Sequence, residues 1–397
     1  MKKDRIIFHV DVNSAFLSWT AVDKLNNGEK IDIRNIPSVI GGDEEARHGV
    51  VLAKSTPAKK YGIVTGESLY SARKKCPEIL VFKPSFSVYQ KCSKNLMGLL
   101  REYTPFIEQY SIDECFMDLT NDISESEATE FAYKIKAKVR KELGFTVNVG
   151  ISTNKLLAKM ASELEKPDKV NTLYRNEIKT KMWPLPVGDL FMVGRSGKEK
   201  LNKLFIHNIG ELASFDVDIL VNKFKSYGRL IWEYANGIDN SSINHNVEEI
   251  KNISNSTTLS EDLTRIDDIR NVLMELCETV AFRLRKTNKC CSFVSVTIRT
   301  NNFKNYSHQK KLKTPTNCTN SIIEVSNEIF KEMWKKEPIR LLGVQLSGLC
   351  DSEIKQMSLF ENENKDEDKN KALDKTIDLL REKYGVEVVK RSSFIKK

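Results

Sequence analysis

The chain has 397 residues, 40% of them hydrophobic and 29% charged, and a net charge of +9. That length exceeds one ordinary hydrophobic core and points to two to four domains of a soluble globular protein. No apolar run approaches the length of a membrane span, and Met1 to Arg5 enters a short strand without the apolar stretch of a signal peptide, so neither a membrane-spanning helix nor secretion is expected.

The basic balance suits a polyanionic partner without identifying one. Eight cysteines are scattered with no CxxC pair, and they read as reduced thiols of a cytoplasmic protein. The five histidines do not cluster, which argues against a zinc site.

In chain order, Ile6 to Val10 predicts a buried strand that ends at Asp11. Asn13 to Phe16 then form a strand-to-helix turn, and Leu17, Trp19 and Val22 continue an apolar helical pattern. Free backbone N–H groups at such a turn can receive phosphate. Residues 24–76 lack long periodicity and read as an inserted, compact subdomain. Ile40-Gly41-Gly42-Asp43-Glu44-Glu45 imitates the GGDEF signature of diguanylate cyclases, but the final Phe is absent. Gly41-Gly42 is therefore read as a turn, with the sheet resuming at Gly49 to Ala53. Lys59-Lys60, taken alone, is a solvated helix face.

Ile79 to Phe82 is strand-like, and Val88, Cys92, Leu96, Leu99 and Tyr103 recur at helical spacing. The acidic stretch Tyr110 to Asp118 follows, then a helix carrying Phe131, Ile135, Val139 and Leu143, then a strand over Phe145 to Ile151. The order is ferredoxin-like and sets Asp11 beside the acidic hairpin. Neighbouring strands lie about 4.8 Å apart, within reach of shared ligands. The adjacent carboxylates Asp113 and Glu114 suit either a turn or a divalent cation. With Asp11 added, they suit a two-metal site, whose ions stand ~3.5–4 Å apart. Strand side chains alternate, so Glu114 ligates as Asp113 does only if the turn twists it.

Pro184 and Pro186 mark a linker, and Val193 to Lys198 open a helix with spaced glycines. Asn236 to Asn252 reads as a polar tether. Beyond it, Phe293 to Arg299 alternates as a half-exposed strand, and Leu342, Val344 and Leu346 alternate likewise. From Arg283 to Lys313 there are basic residues and no acidic one, which predicts a one-sided basic sheet for a duplex backbone. Gln356-Met357-Ser358-Leu359-Phe360 places Leu-Phe in a polar setting suited to a partner pocket. A charged stretch to Lys371 follows. Leu373, Ile377, Leu380 and Tyr384 then line one face of a short helix ending at Gly385, expected to dock on the protein's own surface.

These motifs, in this order, resemble the Y-family translesion DNA polymerases, and most closely their bacterial DNA polymerase IV (DinB) branch. The resemblance implies an α+β multidomain fold of right-hand polymerase architecture. Its parts are a ferredoxin-like palm (1–23 and 77–168), small fingers (24–76), a helix-hairpin-helix thumb (169–238), an α/β little finger (248–350) and a tail (351–397). It also implies that Asp11, Asp113 and Glu114 are catalytic and hold two Mg²⁺, with the Val12 carbonyl as a further ligand. Phe16 takes the steric-gate position against the sugar. Thr56 and Lys59 replace the usual Tyr and Arg at the triphosphate, where Lys keeps the charge but loses the bidentate fork. Lys166, in Glu165-Lys166-Pro167-Asp168, takes the β/γ-phosphate position.

The same resemblance places DNA contacts at Gly194, Gly197 and Lys198, although Phe191-Met192 replaces the usual Pro-Gly, and at Arg283, Arg285 and Arg299. It reads Gln356, Leu359 and Phe360 as a sliding-clamp-binding motif. The implied activity is template-directed addition of dNTPs to a primer 3′-OH during error-prone translesion synthesis by a monomer. Two alternatives stand beside it. A palm-type nucleotide cyclase would need no template, basic domain or clamp peptide. A non-catalytic, clamp-tethered DNA-binding protein would not need the acidic set.

Overall fold

The computed structural model describes residues 5–44, 47, 49–244, 249–351, 365–385 and 388–389. The chain divides into two compact units, residues 1–42 with 49–247 and residues 43–48 with 248–397.

The first unit runs β1 (Ile7–Val12), α1 (Ala15–Asn26), β2 (Ser38–Gly41), β3 (Val51–Lys54), α2 (Thr56–Lys60), α3 (Leu69–Lys75) and β4 (Leu80–Phe82). It continues through α4 (Phe86–Arg101), β5 (Ile107–Gln109), β6 (Glu114–Asp118), α5 (Glu125–Leu143), β7 (Val147–Ser152), α6 (Lys155–Leu164) and β8 (Val170–Thr172). Its main sheet has the order β5-β6-β1-β7-β8, so β1 is central and covered on both faces. Phe8, Val10 and Val12 enter the core with Leu96, Leu99, Ile135 and Val139 of α4 and α5. Ile7 packs on the other face with Phe116 and Ala158 of α6.

Local chemistry sets the ends of these helices. Ser124 and Glu127 form a capping box at the start of α5, and Gly144 ends it at φ 76°, a left-handed position that favours glycine. The Asn154 side chain caps α6 by accepting from Leu157 N–H. Gly150 on β7 is required for that helix to lie so close: a Cβ there would stand 2.0 Å from the Ala158 carbonyl and 2.4 Å from Ser162 N. This close approach brings the inner face of α6 against β1.

A second, three-stranded sheet has the order β3-β2-β4 and its own small core around Val39, Val51, Leu69 and Ala72. The strand expected over Ile79 to Phe82 forms, but as β4 it pairs in parallel with β2 rather than joining the sheet that holds Asp11. The apolar run specified a strand, and only long-range pairing chose its sheet. The rest of this unit is helical: α7 (Arg195–Asn202), α8 (Ile209–Ala213), α9 (Val217–Phe224) and α10 (Ser226–Ala235), around Leu201, Leu212, Leu220 and Ile231.

The second unit contains β9 (Asn252–Leu263), α11 (Ile266–Lys286), β10 (Lys289–Thr300), β11 (Asn305–Thr316), α12 (Thr319–Met333), β12 (Ile339–Asp351) and α13 (Lys365–Tyr384). Its antiparallel sheet has the order β11-β10-β12-β9. Val294, Val296, Ile298, Leu342, Val344 and Leu346 form one core with Ile269, Leu273, Ile322 and Ile329 of α11 and α12.

Two expectations are corrected here. The basic run does not all reach one face of the sheet, because Lys310 turns to Glu328 and Glu332 of α12 and Arg285 stands on α11, bound to Asp378. The opposite face keeps Arg299 and Lys311, paired with Asn305 and Phe293, among small polar side chains, with Thr297 opposite Ser307 and Gln345 opposite Ser254. The last helix forms and docks, but through its polar side. Asp374 and Asp378 bind Arg285, and Arg381 binds Glu278, while Leu373, Leu380 and Tyr384 stay exposed. A charged network outweighs the apolar stripe because Arg285 and Asp374 are both largely removed from water and must be paired. Among the described residues, no helix is long and apolar enough to cross a membrane.

Candidate active site

Asp11 on β1 and Glu114 on β6 are direct partners in the antiparallel register. Opposed residues of such a pair share one face of the sheet. Asp113 lies one residue before β6. Its backbone carbonyl accepts from Val12 N–H at 3.1 Å, and its carboxylate accepts from the Ser111 hydroxyl at 2.6 Å. The expected alternation therefore holds, with Glu114 rather than Asp113 standing across from Asp11. Among the described residues, no three His, Cys, Asp or Glu side chains gather closely enough to make a finished metal cage.

Two carboxylates on one sheet face repel, and lysines neutralise both. The Lys166 ammonium is 2.5 Å from Asp11 Oδ2 and 2.7 Å from Glu163 Oε1. Lys159, on α6, binds Glu114 Oε2. His9 Nε2 reaches that same oxygen at 3.0 Å, and its Nδ1 meets the Ser162 hydroxyl at 2.8 Å. Burial pushes the Asp11 carboxyl above its ordinary range despite the opposing Lys166. Burial also acts against Glu114, but the hydrogen bonds from His9 and Lys159 outweigh it and hold that carboxyl down at about 2. Burial lowers the His9 pKa from the ordinary imidazole value, against the hydrogen bond to Glu114, which raises it. The oxygen donors on offer are hard carboxylates, which suit Mg²⁺ or a similar divalent cation rather than a soft metal.

Phe16 lies near the start of α1, stacked on Tyr89 with ring centroids 4.5 Å apart and planes 5° from parallel. The chain turns into this helix through Ser14 at φ 48°. Thr56 and Lys59 sit on the short helix α2, which the Ser55 side chain caps, and both are exposed. Lys54, at the end of β3, was not singled out from sequence. Burial, and the charge of Lys59 close by, hold its ammonium below the ordinary lysine range.

In the helical part of this unit, an open cavity of about 530 Å³ is lined by Gly194, Ser196, Gly197, Lys200, Lys223 and Lys225, together with Phe224 and Tyr227. It contains the expected Gly194 and Gly197. Lys198 is not among its lining residues; its stem lies over Gly188. Lys200, Lys223 and Lys225 are the cationic side chains there; the sequence reading named none of the three, and the last two arrive from a distance through the α9–α10 turn. Arg283 is exposed, and its guanidinium donates to Ser254 O at 3.3 Å. Arg299 donates to the Asn305 side chain on the neighbouring strand. Arg285 is held by Asp374, Asp378, Thr319 and Asn317 O, all within its own unit. Gln356, Leu359 and Phe360 lie outside the described residues.

Sequence reasoning also missed His9 and Lys159. Two signals marked them: His9 is two residues before Asp11 on one strand face, and Lys155, Lys159 and Ser162 recur at helical spacing.

Comparison with known proteins identifies the family. The impB/mucB/samB family matches residues 10–163, and the impB/mucB/samB family C-terminal domain matches residues 250–359. A DNA polymerase IV of Clostridium acetobutylicum is 65% identical over 393 residues, covering 99% of both chains. DNA polymerase IV 2 of Bacillus subtilis is 37% identical over 402 residues, covering 99% of this chain and 95% of the relative. A solved Y-family DNA polymerase chimera shares the fold with a TM-score of 0.75 at 21% identity, covering 87% of this chain and 99% of the chimera. The chain therefore belongs to the impB/mucB/samB family of Y-family DNA polymerases, on its DNA polymerase IV-like (DinB) branch.

Proposed function

We propose that this Y-family enzyme adds dNTPs to a primer 3′-OH opposite a template by phosphoryl transfer at Asp11, Asp113 and Glu114, with two Mg²⁺. Its family makes it a translesion DNA polymerase, which acts on primer-template DNA and dNTPs and uses a divalent metal. The cyclase and the non-catalytic readings gain nothing from the comparisons. The observation that carries the finer reading is the cross-strand pair of Asp11 and Glu114, with Asp113 tied by its carbonyl to Val12.

In this reading Asp11, Asp113, Glu114 and the Val12 carbonyl hold the metals, which supply charge neutralisation for the attacking and leaving oxygens. Lys166 moves between Asp11 and the β/γ-phosphates. Lys59, with Lys54 beside it, balances triphosphate charge. Phe16, backed by the ring of Tyr89, occupies the space a 2′-OH would need. Gly194 and Gly197, with Lys200, Lys223 and Lys225, receive a DNA backbone phosphate, and Arg283 and Arg299 serve the duplex from the second unit. The palm, fingers, thumb and little finger take the boundaries given above. Gln356, Leu359 and Phe360 bind the sliding clamp, and the protein works as a cytoplasmic monomer.

The test is primer extension on an undamaged template with Mg²⁺ and either dNTPs or rNTPs, beside Asp113→Ala. Template-dependent dNTP addition that disappears in the variant supports the reading. A wild type inactive across salt, metal and clamp conditions would overturn it.

A further inference from the structure

We propose that His9 is a positioning residue for Glu114: its ring N–H holds Oε2 in a fixed direction, so that Oε1 is the oxygen left for a metal. The proposal rests on the two-metal reading above.

His9 is fully buried, and both ring nitrogens are engaged, by Ser162 on α6 and by Glu114 on β6. A buried imidazole with an unpaired nitrogen is costly, so each contact must be a true hydrogen bond. An ionised carboxylate can only accept, so whatever the charge of the ring the donor to Oε2 is Nε2–H. The ring is anchored at its other end by the Ser162 hydroxyl, which lies 2.8 Å from Nδ1 and itself donates to the Lys159 carbonyl of α6 at 2.8 Å. The contacts then run from α6 through the His9 ring to Glu114 Oε2. Among the described residues, no hydrogen bond engages Oε1.

The backbone is shaped for this relay. Gly150 is the cross-strand partner of His9 on β7, and any side chain there would push α6 and Ser162 away. Lys159 also binds Oε2, and its ammonium lies 5.2 Å from the Tyr110 ring centroid and 5.4 Å from that of Phe191. An ammonium is a rotatable point charge, so it compensates charge without setting a direction. The ring of His9 is rigid and sits two residues before Asp11 on the same strand face, so it can set one. Hydrogen bonds to ligating side chains typically change metal affinity by about 10–100-fold.

The test compares His9→Leu, which removes the donor, with His9→Gln, which returns an N–H at a similar reach. Mn²⁺ binding is read by electron paramagnetic resonance in the complex with primer-template DNA and a non-hydrolysable dNTP. Single-turnover rate, dNTP affinity and thermal unfolding are measured beside it. The expected result for His9→Leu is Mn²⁺ affinity weakened roughly 10–100-fold and a slower single-turnover rate, with dNTP affinity changed less than threefold. His9→Gln should recover most of the loss. A folded His9→Leu that binds Mn²⁺ like wild type overturns the proposal, as does a folded His9→Gln that fails as badly as His9→Leu.

Where His9→Leu does not fold, Ser162→Ala takes its place. It removes the anchor of the ring at Nδ1 and should weaken Mn²⁺ severalfold; unchanged affinity overturns the proposal. A wild type that binds no Mn²⁺ in this complex would instead sink the two-metal reading itself.

Discussion

Asp11 and Glu114 face each other across β1 and β6, yet their surroundings shift the two carboxyls in opposite directions, Asp11 up and Glu114 down. Asp11 is the poorly stabilised charge, and Glu114 is the well-stabilised one, its solvent replaced by His9 and Lys159. Asp11 has Lys166 as its cationic partner, whereas Glu114 is held by both His9 and Lys159.

Removing the two charges should therefore separate stability from activity. A raised folded pKa means that ionised Asp11 costs stability at neutral pH, a cost relieved as pH falls through that pKa. Asp11→Asn should keep or raise the melting temperature and lower primer extension by at least ~10³-fold. Glu114→Gln should lower both. Differential scanning fluorimetry beside gel-based extension reads the pair, and a large loss of stability in Asp11→Asn would contradict this account.

Acid should expose the Glu114 network. Its folded pKa of about 2 lies below the ordinary 4.5, so its stabilisation is complete above the unfolded value and is lost as pH falls from there towards 2. The shift corresponds to roughly 3 kcal/mol at most. Urea unfolding of wild type and Glu114→Gln should converge in midpoint as the pH drops through that window. Parallel curves would mean the network contributes nothing.

Lys59→Arg restores a planar, bidentate donor at the exposed end of α2. The dNTP KM should fall by roughly 3–10-fold, with little change in kcat. Steady-state kinetics decide, and an unchanged or higher KM would show that Lys54 and Lys59 already satisfy the triphosphate.

The lysines around the cavity between α7 and α10 should carry a salt-dependent share of DNA binding. Replacing Lys200, Lys223 and Lys225 with Ala should weaken primer-template affinity and flatten the slope of log K against log salt by about 0.9 for each phosphate no longer neutralised. Fluorescence anisotropy across a salt series measures this. A uniform offset at unchanged slope would exclude phosphate binding by these lysines.

Arg285→Met should act on the protein's own architecture. Asp374 and Asp378 lose their partner, so amides of α13 should exchange faster while DNA affinity changes less than twofold. Hydrogen exchange of residues 369–384 is the readout, and protection as in wild type would show that the helix docks by other means.

Much of this was readable along the chain. The apolar run into Asp11, the helical spacing over Val88 to Tyr103 and the Tyr110–Asp118 stretch announce β1, α4 and the acidic hairpin, because hydrophobic period is a local property. Which sheet received Ile79–Phe82 was not readable, since strand pairing depends on residues far away. The basic run from Arg283 to Lys313 gave no warning that Arg285 and Lys310 would turn to acidic helices. Linear charge density says nothing about which side of an element a residue occupies.

The carboxylates themselves and their order are written in the residues. Their pairing, and the fact that one is held by His9 and Lys159 while the other is paired with Lys166, came only from the fold. A register of one residue decides which carboxylate faces Asp11. That register is set by β1 lying between β6 and β7, and the seat of α6 against β1 by the bare backbone of Gly150.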